Sequence, residues 1–154
     1  MNPICQECIF IGNLGHAYEY SEKGMALIIF RICEEDCIME NEKIFGMYFA
    51  KVYPMLLAKA ERKGRTKNEV DEIACWLTGY SSDSIHGFLN SDLTYGDFFR
   101  QAPAPNPDRK LIKGTICGVR VESIQDPLMQ EIRYLDKLVD ELAKGKKMEQ
   151  ILRK

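Results

Sequence analysis

From residue 44 onward, apolar side chains return every three or four positions. Phe45, Phe49, Val52, Leu56 and Ala60 would share one face of a helix. Pro54 interrupts that run; it has no amide hydrogen and crowds the preceding turn, so a kink or a division is expected there. Gly64 supplies the stop. A second helix opens on TKNE, residues 66–69. Thr66 can accept from the amide three residues on while Glu69 reaches back, an arrangement worth about 1 kcal/mol. Val70, Ile73, Ala74 and Leu77 form its apolar stripe and Gly79 closes it. Shorter helices are expected over 83–89 and 95–101, each behind a Ser or Thr cap.

The segment APAPNP, 102–107, breaks helix and is too short to link domains, so it reads as an internal loop. Within KLIKGTICGVRVE, Val119 and Val121 alternate, which predicts one short hairpin or strand near 111–121. The last long helix has the clearest pattern: Asp126 caps it, Pro127 suits its first position and Gly145 ends it. Leu128, Ile132, Leu135, Val139 and Leu142 make a continuous stripe. Buried at about 2 kcal/mol each, they contribute on the order of 10 kcal/mol before entropy is counted. Lys137–Glu141 and Asp140–Lys144 read as exposed i,i+4 pairs on its polar face. A short basic helix over 147–152 follows. The fold class is mainly α, in a single domain at 39–154.

Residues 1–38 carry no such pattern. They hold two basic residues (Lys23, Arg31) and six acidic ones, out of 21 and 23 in the whole chain, which leaves 19 basic and 17 acidic residues for 39–154. Met39 follows Glu34-Glu35-Asp36, whose codons can contain a purine-rich ribosome-binding site. The expectation is that 1–38 is an N-terminal extension, disordered or upstream leader, and that the working unit begins at Met39. The competing reading is metal binding: Cys5, Cys8, Cys33 and Cys37 supply the four thiolates of a tetrahedral zinc site, with His16 as a further ligand. The spacing between the two cysteine pairs exceeds that of common zinc ribbons, and no cofactor is expected.

Composition narrows the class. Hydrophobic residues at 45% and charged residues at 29% fit a soluble globular chain. The longest apolar run, Met25 to Phe30, is far too short to span a bilayer, and there is no export signal. A cytoplasmic location without a membrane partner is therefore expected, and a reducing compartment argues against disulfides among the cysteines.

The strings FAKVYPMLLAKAERKGRTKNEVDEIACWLTGY and ICGVRVESIQDPLMQEIRYLDKLVDELAKGKKMEQILRK resemble a family of small bacterial proteins catalogued as domain of unknown function 2200. The resemblance runs from about Ile44 to the C-terminus. It implies a small orthogonal helical bundle and a start just before EKIFGMYFA. It implies no activity and no catalytic residue.

Candidate chemistry is sparse. Lys59, Arg62, Lys63, Arg65 and Lys67 crowd the turn between the first two helices, a surface for an anionic ligand or RNA. Asn68, Glu69, Asp71 and Glu72 follow at once, and their acidity argues against base reading by that helix. Arg133 and the Lys144–Lys147 tail are candidate neighbours of the basic turn. Within 39–154 the reactive side chains are His86, Cys75 and Cys117. Cys75 fits a small core hydrophobe; Cys117, between glycines, is the better nucleophile. A binding module on the basic turn is thus the first functional expectation. A small enzyme gathering Cys117, His86 and Tyr80 is the alternative, and a zinc protein the third. Tyr53, Trp76, Tyr80, Phe98, Phe99 and Tyr134 are expected in the core.

Overall fold

A computed structural model of the chain describes residues 40–153. The fold is mainly α with one short hairpin. Helix at 40–45 (α1) leads into α2 (Phe49–Glu61), α3 (Lys67–Thr78), α4 (Ser82–Phe88) and α5 (Tyr95–Arg100). A 3-10 turn at Pro107–Leu111 precedes β1 (Thr115–Ile116) and β2 (Val119–Arg120); a second, Val121–Ser123, leads into α6 (Pro127–Ala143) and α7 (Met148–Ile151).

The caps account for most of the helix starts. Thr66 and Glu69 form the expected capping box, with the Thr66 amide donating to Glu69 Oε2 at 2.8 Å. Ser81, Thr94 and Asp126 accept from the first-turn amides of α4, α5 and α6. Two expectations about the first helix need correction. The chain leaves helix at 46–48, where Tyr48 pairs with Thr94, so Phe45 and Phe49 belong to different helices. The Phe49 amide donates to Leu93 and the Tyr95 amide to Met47, and these cross-links replace helical bonds. Pro54, in contrast, does not divide α2, which runs unbroken through it.

The hairpin is shorter than the segment that suggested it, with Thr115 opposite Arg120 and Ile116 opposite Val119. Its two turn residues, Cys117 (φ 51°) and Gly118 (φ 76°), both lie in the left-handed region, as a two-residue primed turn requires.

Helix α6 occupies the centre, packed by α2, α3, α5, α7, β1 and the Val121–Ser123 turn. Its buried face is wider than the predicted stripe: Met129, Tyr134 and Leu138 join Ile132, Leu135, Val139 and Leu142, while Leu128 is only half-buried. Phe49, Phe98 and Tyr80 stack in series, centroids 4.5 and 5.1 Å apart, beside Tyr53. The Lys137–Glu141 and Asp140–Lys144 pairs both form, but they are not exposed pairs. Asp140 and Glu141 are buried, because packing surrounds α6 on nearly every side. Lys59 reaches Asp140 at 3.2 Å, and Arg153 and Lys146 reach Glu141 at 2.8 and 3.0 Å. Ile151 and Leu152 of the C-terminal segment are buried in the hydrophobic core.

Among the described residues, no helix is long and apolar enough to cross a membrane.

Candidate functional site

Three helices converge on one carboxylate. Asp71 lies one turn into α3, between Val70 and Ala74, on the face that packs into the molecule, and only 4% of it is exposed. From α2, the buried Tyr53 hydroxyl donates to Asp71 Oδ1 at 2.6 Å. From α4, His86 Nε2 lies 2.8 Å from Oδ2. Lys67, one helical turn before Asp71, brings its ammonium to 3.2 Å from the same oxygen and into contact with His86 Nε2. The side chains of Lys67 and His86 are 39% and 41% exposed, so a buried anion holds two half-exposed nitrogen groups at the surface.

Burial would raise the Asp71 pKa, yet hydrogen bonds from Tyr53, His86 and Lys67 outweigh it and hold the carboxyl below its usual value. The Tyr53 hydroxyl is pushed far up, first by burial and then by the acid it serves, so it remains a donor. Burial first, and then the Asp71 charge, raises the Cys75 thiol, which is consistent with an unreactive packing role. This cluster can fix an imidazole, hold a half-exposed ammonium against it, and offset positive charge that develops on the ring.

The expected anion-binding set is largely engaged within the molecule. Lys59 pairs with Asp140, Arg65 with Glu69 and the Lys146 carbonyl, and Lys67 with Asp71. Arg62 and Lys63 are exposed on the turn. Asp71, read from sequence as surface acidity on a helix that would meet phosphates, is instead an interior anchor. Arg133 pairs with Asp136 at 3.0 Å and approaches the Cys117 thiol at 3.9 Å. Lys144 and Lys146 turn toward Asp140 and Glu141.

The proposed thiol, imidazole and phenol are distributed among different partners. His86 contacts Asp71 and Lys67; the Tyr80 hydroxyl donates to the Phe98 carbonyl at 3.1 Å within the aromatic stack; Cys117 sits in the hairpin turn against Arg133. Cys5, Cys8, Cys33, Cys37 and His16 lie outside the described residues. Among the described residues, no group of three or more His, Cys, Asp and Glu could hold a metal ion. A second polar group was not read from sequence: the buried Tyr95 hydroxyl has no hydrogen-bond partner and lies within electrostatic reach of Asp136 and Arg133. Burial raises the Asp136 carboxyl above its usual value despite Arg133.

Residues 43–153 match the family described as an uncharacterized protein conserved in bacteria, DUF2200. The chain belongs to that family. A solved structure titled as that of uncharacterized protein SP1917 is similar to it, with a TM-score of 0.70 and 56% identity, covering 73% of this chain and 92% of that one. No curated protein matches. DUF2200 membership therefore carries the fold and no activity. Sequence reasoning passed over Tyr53 and Asp71 as site residues, although signals were present. Tyr53 sits beside Val52 on the inward face of α2, and Lys67–Asp71 has i,i+4 spacing beside the Val70–Ala74 stripe.

Proposed function

We propose that this DUF2200 protein is a cytoplasmic binding module for an anionic group, and that its contact face is the edge carrying Lys67 and His86. The observation behind this reading is the buried Asp71 carboxylate, which anchors an ammonium from α3 and an imidazole from α4 side by side, both half-exposed. Arg62 and Lys63 are exposed on the turn that leads into α3. Held donors lose less freedom on binding than mobile surface lysines, so preorganisation here favours a small, dense anion such as a phosphate.

The reading is tested by chromatography on immobilised heparin over a salt gradient, together with amide NMR during addition of inorganic phosphate. Salt-sensitive retention is expected, weakened by Lys63→Ala with Lys67→Ala, and phosphate should shift signals near 67 and 86. Retention indifferent to those substitutions, with no shift at either position, would sink it.

A further inference from the structure

One nitrogen of His86 is shared between partners with opposite demands. Nε2 lies 2.8 Å from Asp71 Oδ2, which only accepts, and touches the Lys67 ammonium, which only donates. A neutral ring offers either a hydrogen or a lone pair there, and in either form it sets no charge against the ammonium. The protonated ring carries hydrogen on both nitrogens, so at Nε2 it can serve Asp71 alone, and it sets a second cation against Lys67. One partner must then withdraw. The Asp71 side chain is 5% exposed and held from behind by Tyr53, so it stays. The ring lies nearer to Oδ2 than the ammonium does, at 2.8 against 3.2 Å, and swings on two torsions only. Lys67 is 39% exposed on a flexible four-carbon stem, and its ammonium hydrates strongly. It also precedes its acid by four residues, the weaker order for such a pair on a helix. The remaining ionisable neighbours do not compete for the ring's proton. Asp71 is held below its usual value and stays ionised, Tyr53 from α2 stays a donor, and Asp83, one turn before His86 on α4, is exposed.

We propose that His86 is a proton switch for this edge: protonation of its ring drives the Lys67 ammonium off Asp71 and makes the edge a two-cation site for an oxyanion. This rests on the anion-binding reading of the same edge and supplies its regulation. With the ring neutral, the charges of Lys67 and Asp71 cancel, and the ammonium is engaged by partners inside the protein. With the ring protonated, the imidazolium neutralises Asp71 and Lys67 stands in solvent beside it, so the cluster carries one more positive charge. Both side chains are half-exposed, so an oxyanion reaches the released ammonium without the fold opening. The protonated form is the same whichever nitrogen bears the hydrogen in the neutral ring, because protonation fills both.

The experiment follows the His86 ring and the Lys67 side-chain end by NMR in the full chain, from about pH 5 to 8, where histidine side chains change charge. It is run without added anion and with sodium sulfate, whose own charge is constant over that range. The Lys67 signals are expected to move with the same midpoint as the His86 ring, and sulfate to bind about tenfold more tightly at the acid end. In His86→Gln, which keeps a polar side chain but cannot take up a proton, Lys67 should no longer respond to pH. The titration of the unsubstituted chain decides the matter even if that variant misfolds. Lys67 signals that stay flat while the His86 ring titrates overturn the switch. Sulfate bound equally at both ends of the range overturns the regulation and leaves anion binding standing. Lys67 following the ring with no sulfate response at any pH overturns the anion-binding reading and leaves the displacement alone. A Lys67 response that persists in His86→Gln assigns it to another group and overturns the role of His86.

Discussion

A carboxyl group taken out of water normally gains a proton, and the buried Asp71 is kept charged by Tyr53, His86 and Lys67. Because its folded pKa lies below the usual 3.8, it contributes stability above that value and loses it as pH falls through the folded pKa. Tyr53→Phe removes the 2.6 Å donor and leaves Oδ1 unsatisfied inside the protein. We expect a loss of about 1–3 kcal/mol at neutral pH. The depression of the Asp71 pKa should shrink, so less stability should be lost as pH falls through the acid range and the acid limb should flatten. Urea denaturation across pH, followed by circular dichroism, checks both; an unchanged acid limb would mean that Tyr53 does not hold the charge. Asp136 has the opposite sign. Its raised pKa makes ionisation a burden on the folded state that protonation relieves as pH falls, so the two aspartates cannot be treated alike.

The α3 terminus shows how one element depends on a distant segment. Gly79 ends the helix at φ 80°, and the APAPNP loop closes over it, with Ala104 and Asn106 donating to the carbonyls of Thr78 and Leu77. A Cβ at Gly79 would stand 2.7 Å from both Ala104 Cβ and Ala104 O. Gly64 has a similar φ of 74°, but nothing lies within 4 Å of a Cβ there. Gly64→Ala should therefore cost about 1 kcal/mol from backbone strain alone, and Gly79→Ala roughly 2–4 kcal/mol because the loop must also move. Thermal denaturation of the two variants side by side tests this, and equal losses would contradict it. The α7 segment is a second such case. Arg153 donates to Glu141 Oε2 and to the Gln150 and Ile151 carbonyls, fastening the chain end to α6. Lys146 and Lys137 remain near Glu141 when Arg153 is removed, so Arg153→Ala should loosen this segment without unfolding the rest. Amide exchange at Ile151 and Leu152 should quicken about tenfold, roughly 1.4 kcal/mol of local stability. Exchange rising equally throughout α6 would show the latch to be global.

At the scale of the whole molecule, the buried hydrophobic cluster of the described residues begins at Ile44 and ends at Leu152. If the working unit begins at Met39, a chain started there should reproduce the urea midpoint and steepness of the full chain, because both reflect the surface buried on folding. A lower midpoint or shallower transition in the shorter chain would show that 1–38 contributes to stability. Central placement of α6 also explains why charged pairs that looked superficial became structural. A helix covered on one side leaves its polar face in water; one packed by α2, α3, α5, β1 and α7 does not.

The sequence by itself determined the mainly α class, the positions of α3 to α6 and the capped helix starts. These are local matters: the helical period acts over three or four residues, and a cap reaches only two or three residues on. Thr66 and Asp126 could be named as caps for that reason, and a Ser or Thr expected ahead of the two short helices, where Ser81 and Thr94 stand. The match over 43–153 likewise confirms a family resemblance legible in the letters alone. Only the tertiary structure decided which polar groups were buried and with whom. His86 is 15 residues from Asp71, Tyr53 is 18 from it, and Lys59 is 81 from Asp140. Whether a carboxylate meets water or a lysine depends on what packs over it, and no local pattern carries that information. The same limit separated His86 from Cys117 and joined it to Asp71: partnership across helices is set by how the helices dock, after each has formed.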